Sequence, residues 1–339
     1  MQLILIWLLV TLVCYGGVIV TAALMTLAER KVSAAMQYRY GPNRVGPFGL
    51  FQPLADGLKF MFKEEVVPTG ANRLMFRLAP VLTALPAMLS IAVIPFAGEI
   101  GTYEGNAVMG SIANPEIGIL YVLAVSGIGI YGAILGGWAS NSKYALLGGL
   151  RASAQMISYE LSLILAVLAV VAMTGSLNLH EIVAGQQGWL GWNVFSQPLA
   201  FLLFLICAYA ETNRHPFDFA ECEPELVAGF HTEYSSMKFA MFFIGEYTAM
   251  VVMACLVTTL FFGGYLVPFW TDAPWWIGLI AFCFKTSFFL LLFIWVRWTL
   301  PRFRYDQLMH LGWKVLFPLA LVNIFLTGAF ISLFGSGGN

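Results

Sequence analysis

The run LILIWLLVTLVCYGGVIVTAALMTL, residues 3–27, carries no charged side chain. A spanning helix needs about 20 mostly apolar residues, so this run crosses a bilayer unaided. It exceeds the apolar core of a signal peptide, has no basic residue ahead of it and no cleavage pattern behind it. It is therefore expected to persist as a first transmembrane helix. The rest of the 339-residue chain is of the same kind: 60% hydrophobic, only 10% charged, with a mean hydropathy of +0.81. Soluble domains are roughly a quarter charged. The chain reads as an all-α polytopic membrane protein, one transmembrane domain over residues 1–339.

Eight apolar segments meet the spanning test, roughly 3–27, 74–96, 117–138, 155–174, 197–211, 238–263, 275–297 and 313–334, the fifth being short. Every Lys and Arg except Lys285 falls in or beside alternate connections: around 28–77, 143–151, 214–238 and 297–314. The other connections hold Glu99, Glu104, Glu116, Glu181 and Asp272 and no Lys or Arg. Basic loops stay on the cytoplasmic side, so both termini are expected outside, on the periplasmic side of a bacterial membrane, with long inner loops. The first inner loop, 28–73, contains FQPLADGLKFMFKEE (51–65). There Phe51, Leu54, Leu58, Met61 and Phe62 share one helical stripe, which predicts an amphipathic helix on the membrane surface or against a partner. The second notable inner loop, 211–237, is acidic.

The scattered cysteines Cys14, Cys207, Cys222, Cys255 and Cys283 have no CxxC spacing. The histidines are equally dispersed, so no metal, haem or iron–sulfur pattern is visible. A net charge of −1 without a basic run gives no reason to expect nucleic acid. The glycines of AERKVSAAMQYRYGPNRVGPFG (28–49) stiffen turns and match no phosphate-binding pattern.

Chemistry concentrates in the buried charges. Glu246, Lys285 and Glu160 lie within apolar spans, where an unpaired charge costs several kcal/mol. Such groups fix helix packing as a pair or line a proton path, and the second reading is favoured. In ETNRHPFDFAECEPE (211–225) five carboxylates, Glu211, Asp218, Glu221, Glu223 and Glu225, surround Arg214. Glu211 and Arg214 are three apart and Arg214 and Asp218 four apart, so a continuing helix would pair them on one face. Pro216 argues against that continuation. Crowded carboxylates in apolar surroundings share protons, and interleaved Phe217, Phe219 and Phe230 argue against a plain solvated loop. Arg297, Arg302 and Arg304 close the seventh span, either as anchors to lipid headgroups or as part of a site.

The segments AERKVSAAMQYRYGPNRVGPFGLFQPLADGLKFMFKE, RASAQMISYE, AETNRHPFDFAECEPELVAGFHTEYSSMKFAMFFIGEY and PRFRYDQLMHLGWK, between residues 28 and 314, carry a resemblance to a known family. They resemble the H-type membrane subunit of bacterial NADH-quinone oxidoreductase, the counterpart of mitochondrial NADH dehydrogenase subunit 1 of respiratory complex I. The resemblance implies a membrane subunit that binds no redox cofactor of its own. NADH, FMN and the iron–sulfur clusters would belong to partner subunits, and a quinone, ubiquinone or menaquinone, would be the substrate. It implies peripheral quinone-site and iron–sulfur subunits, small membrane subunits and antiporter-like subunits as partners, in a bacterial inner membrane. It places Glu29, Arg30, Asp56, Arg214, Phe230, Arg297 and Arg302 at a quinone chamber or its entrance. It places Glu160, Glu211, Glu221, Glu223, Glu225 and Glu246 on an acidic path into the membrane, and Asp218 and Lys285 join them as coupling candidates.

The nearest competing reading is the related membrane anchor of an energy-converting hydrogenase, which shares part of these motifs. A stand-alone ion-coupled transporter would use Glu246 and Lys285, but no internal repeat is visible and the inner loops go unexplained. A passive scaffold has no use for the carboxylates.

Overall fold

The computed structural model describes residues 2–103, 106–188, 190–220, 223–268, 270 and 273–334. Helix α1 spans Gln2–Met36, α2 Gln52–Phe62, α3 Arg73–Ser90, α4 Gly118–Ala139 and α5 Lys143–Thr174. The short α6 (Leu179–Ala184) and α7 (Asn193–Ser196) precede α8 (Pro198–Glu211) and α9 (Glu223–Leu226). Then come α10 (Ser236–Phe261), α11 (Trp275–Thr299), α12 (Tyr305–Leu311) and α13 (Phe317–Phe334). Among the described residues seven helical segments are long and apolar enough to cross a membrane: α1, α3, α4, α5, α10, α11 and α12–α13, the last continuous through a π-helical turn at Gly312–Leu316.

The expected fifth span is α8, at 14 residues the short one. At 1.5 Å per residue it covers about 21 Å, less than the hydrocarbon thickness of about 30 Å. It packs against α5, α10 and α13, and Leu203, Phe204, Cys207 and Ala208 are buried. A helix sheltered by protein has no need to match the bilayer. Two boundaries also differ from the hydropathy reading. Helix α1 continues past residue 27 to Met36, which puts Glu29 and Arg30 on the helix itself. Helix α5 begins at Lys143, twelve residues before the run assigned from hydropathy, and its first turns pack through Gly148 on the turn Gly229–His231.

Helix α10 is central, with residues 250–257 all buried, and packs against α3, α11 and α1. Close approach of α3, α4, α5 and α10 relies on small residues, as in other membrane bundles. At Gly132 of α4, an added Cβ would lie 2.1 Å from Thr83 Oγ1 and 2.7 Å from the Thr83 backbone nitrogen. Backbone cannot step aside as a side-chain tip can. Gly132→Ala is therefore expected to push α4 from α3 and cost about 1–3 kcal/mol, read as a lower Tm of the detergent-solubilised protein. An unchanged Tm would show that the two helices have slack here.

At the end opposite the basic loops, a hairpin that hydropathy did not reveal pairs β1 (Ala97–Tyr103) with β2 (Asn106–Gly110), antiparallel from Ala97↔Gly110 to Tyr103↔Asn106. At the basic end, α2 forms as expected within the first loop. Leu54, Leu58, Met61 and Phe62 are all exposed, Phe62 at 87%. The stripe is thus free to meet lipid or a partner protein. Helix α2 is held at its other side by Arg30 Nη1–Asp56 Oδ2 at 2.7 Å and by Ser236 Oγ donating to Phe60 O at 3.0 Å.

Candidate functional site

The acidic loop begins where α8 stops. Asn213 adopts a left-handed conformation (φ 50°) and the Arg214 N–H turns back to Tyr209 O at 3.3 Å, so helical hydrogen bonding ends before Pro216. Gln155 of α5 then fixes the loop. Its amide nitrogen lies 3.0 Å from Ala210 O, 3.2 Å from Asn213 Oδ1 and 2.8 Å from Phe217 O. With the loop so held, Arg214 points inward and is only 4% exposed.

Arg214 joins two carboxylates from two other helices. Its Nη1 lies 3.2 and 3.1 Å from the two oxygens of Glu29 on α1, and its Nε 2.5 Å from Glu246 Oε1 on α10. The guanidinium sits 4.3 Å above the ring of Tyr247, whose hydroxyl donates to Glu29 Oε2 at 2.7 Å. Arg297 of α11 completes the set by pairing with Glu29 Oε1. Two carboxylates and two guanidiniums balance, which is how charge becomes tolerable at low exposure. Burial works against the Arg214 charge, but Glu246, Tyr247 and Glu29 outweigh it and hold its proton more firmly than usual. The side chains Glu29, Arg30, Arg214, Glu246, Tyr247 and Arg297 line a cavity of about 180 Å³.

Glu246 also faces a second cavity, of about 90 Å³, on its far side. Thr83 and Ser90 of α3, Ser126 of α4, Glu211, Thr212, Asn213 and Phe230 line it. This space is large enough for several waters, and its hydroxyls and carboxylates offer them partners. Glu211 closes one end of α8 here, and Glu160 of α5 lies near enough for the two charges to interact. The Glu160 carboxylate rests on α4 at Gly127, where an added Cβ would come within 2.8 Å of its Oε1. Glu246, Glu211 and Glu160 thus follow one another from the first cavity into the bundle.

Beside this chain stands a second charged group. Arg302 Nη2 lies 2.8 Å from Asp218 Oδ2 and 3.0 Å from His215 Nε2, and the imidazole is 3.5 Å from the same carboxylate oxygen. Arginine only donates, so His215 accepts at Nε2 and carries its proton on Nδ1. Burial, then the nearby Arg302, Arg297 and Arg214, pull the His215 pKa down to about 4. Burial raises the Asp218 pKa, and the same three arginines oppose but do not cancel the shift.

The structure therefore brings together Glu29, Arg30, Arg214, Arg297 and Glu246, with Asp56 at the edge through Arg30. It joins Asp218 with Arg302. Phe230 stands with the glutamates, lining the second cavity and packing on Phe242. The pairing of Glu211 with Arg214, and of Arg214 with Asp218, along a continued helix does not occur, because the chain leaves the helix at Glu211 and reverses. Nor do the described acids of the loop form one cluster. Glu211 faces the inner cavity, Asp218 meets Arg302, and Glu225 is exposed, 2.5 Å from Arg151. Glu223 opens α9, and Glu221 lies outside the described residues. Lys285 is not near Glu246. It binds backbone carbonyls beyond the end of α10, sixteen residues or about 24 Å further along. Residue patterns missed Tyr247 and His215, although each adjoins a residue singled out for its charge. Among the described residues no group of three or more His, Cys, Asp or Glu could hold a metal.

The family model described as NADH dehydrogenase matches residues 8–328 of this chain. The chain is similar to the H-type subunit, copy 1, of the NADH-quinone oxidoreductase of Geobacter metallireducens, 53% identical over 316 residues, 93% of each protein. It is 49% identical over 324 residues to the protein of the same name from Cytophaga hutchinsonii, covering 93% of this chain and 94% of the relative. It is also 48% identical over 341 residues to NADH-quinone oxidoreductase subunit 8 of Rhodothermus marinus, covering 96% and 97%.

Proposed function

This chain belongs to the NADH dehydrogenase family as a membrane subunit of NADH-quinone oxidoreductase, and from that premise we propose that it forms the membrane-side wall and mouth of a quinone chamber and converts charge changes there into proton movement. One observation supports this reading most: Glu246 lines both cavities, so it faces the charged group at one side and the glutamates at the other.

The cavity beside Glu29, Arg30, Arg214 and Arg297 lies at the basic end, near the exposed apolar stripe of α2. A quinone head carries carbonyl oxygens that accept hydrogen bonds, and the guanidiniums supply donors. Its isoprenoid tail suits the apolar surface of α2. Peripheral subunits carrying NADH, FMN and iron–sulfur clusters deliver the electrons, and this chain supplies the walls and the field. Reduction places negative charge beside the arginines until protons arrive. That charge competes with Glu246 for Arg214. As the pair loosens, Glu246 loses its counter-charge and becomes the better proton acceptor. Water in the second cavity carries the change to Glu211 and Glu160, and from there toward antiporter-like partners. Asp218 and Arg302 brace the loop that holds Arg214, while Glu221, Glu223 and Glu225 serve as the acidic approach from the inner side. The membrane is the bacterial inner membrane, with the basic loops inside.

A photoreactive quinone analogue bound to the assembled complex is expected to label residues 26–33 and 297–298, with label lost when excess quinone competes. Competable label confined to other parts of this chain would remove the chamber from this cavity.

A further inference from the structure

Lys285 has no place in the acid chain, yet its surroundings are specific. The ammonium nitrogen lies 2.8 Å from Phe262 O, 2.9 Å from Gly264 O and 2.7 Å from Leu266 O. A lysine ammonium has three N–H donors, and a neutral amine has two. Three short carbonyl contacts therefore require the charged form and use every donor it has. The distances are those of charge-assisted hydrogen bonds.

The carbonyls converge because α10 ends in a particular turn. Gly263 and Gly264 both take positive φ (68° and 49°), and the Gly264 N–H reaches back to Thr258 O at 2.9 Å, the same oxygen that accepts from the Phe262 N–H at 3.1 Å. Gln186 Oε1 accepts from the Gly263 N–H at 3.0 Å and steadies the turn. The ring of Trp192 faces the ammonium at 4.9 Å, and aromatic faces attract cations. The carbonyl end of a helix carries partial negative charge. Oxygens, aromatic face and helix end together make an environment for one monovalent cation.

We infer that Lys285 is a tethered cation whose ammonium fills a monovalent-cation site built from Phe262 O, Gly264 O and Leu266 O, latching α11 to the far end of α10. Lys285 is then a positioning residue. It carries no proton in turnover, because losing one would strand a carbonyl. The site has two consequences. The intact protein needs no added cation here. Cutting the tether leaves a site that free ammonium, which offers the same N–H donors, occupies best. Potassium binds as a bare ion of similar size, and choline is too bulky to enter. The inference does not depend on the quinone reading.

The test is Lys285→Met in the whole complex, which keeps the apolar stem, ends one atom short of the ammonium position and removes the charge. Loss of charge-assisted hydrogen bonds is expected to speed heat inactivation about tenfold or more. At constant ionic strength ammonium chloride is expected to restore most of the lifetime, potassium chloride less, and choline chloride none. The unaltered complex should not respond to the choice of cation. A Met variant with normal lifetime, or one whose loss no cation reverses, overturns the inference. So does a variant of normal lifetime that has lost proton pumping, since Lys285 would then be a carrier. If the Met variant does not assemble, Lys285→Gln takes its place, with the same cation series and the same deciding outcomes.

Discussion

Replacing Arg214 with methionine is expected to lower quinone reduction by the assembled complex about a hundredfold or more. The reason lies in what the change leaves behind. Glu29 and Glu246 both lean on one guanidinium that is 4% exposed. Removing one partner of a buried ion pair costs about 3–5 kcal/mol, because the abandoned charge stays desolvated. Here two carboxylates are abandoned, and only Glu29 keeps Arg297. The site must collapse, admit water or take up protons, and each of these destroys the balance of the cavity. Arg214→Lys is expected to fall between, since an ammonium cannot bridge two carboxylates in the plane of a guanidinium. Adding Glu246→Gln to Arg214→Met should recover part of the loss by removing one stranded charge. Rates of NADH oxidation by quinone in membranes, beside rates with an acceptor reduced upstream of quinone, measure the effect. Quinone reduction within a fewfold of normal in Arg214→Met would show that the guanidinium does not organise the cavity.

The second large effect is expected from Glu211→Gln. The amide keeps the size and removes the ability to take or release a proton. Glu211 lies on the wall of the inner cavity with Glu246, and Glu160 is the next carboxylate. If protons or their charge pass this way, translocation should fall about a hundredfold, the scale of a lost proton-transfer group. Quinone reduction should slow with it in a coupled machine, while the quinone concentration for half-maximal rate stays put, because Glu211 does not line the first cavity. Glu211→Asp should retain part of both activities. Dye-monitored acidification of inverted vesicles gives the first quantity and the reductase rate gives the second. An assembled Glu211→Gln complex that reduces quinone and pumps normally removes Glu211 from the coupling.

Much of this arrangement was legible in the residues. Length and apolarity marked the spans. Glu246 was conspicuous because an isolated carboxylate has no business in FFIGEYTAMVV. Its partner was not legible. Local spacing offered Arg214 the neighbours Glu211 and Asp218, three and four residues away, whereas the fold gave it Glu29 and Glu246, 185 and 32 residues away. The helix that would have paired the local residues ended at Glu211, and Gln155, on another helix, holds the chain that follows. Lys285 misled for the same reason. An intramembrane lysine suggests a carboxylate partner, yet backbone carbonyls serve it, and sequence does not display carbonyls. The β1–β2 hairpin escaped because hydropathy windows suit helices and average away a period of two.

Helix α5 is also a mechanical part. At 32 residues it is about 48 Å long, well beyond the roughly 30 Å of bilayer hydrocarbon, so a good part projects or the whole rod tilts. The surplus is occupied. Gly148 lies against the backbone of Gly229, Arg151 grips Glu225, and Gln155 holds the carbonyls of Ala210 and Phe217. From Arg151 to Thr174 the helix has neither glycine nor proline, so it has no joint at which to bend. It is a stiff spar with the acidic loop strapped to one end and Glu160 mounted part-way along. Any push that a docked neighbour exerts on that loop reaches the buried end as leverage, undiminished by a hinge. Work done in the aqueous layer thus has a rigid member through which to act on the membrane interior, whether or not a proton travels the same route.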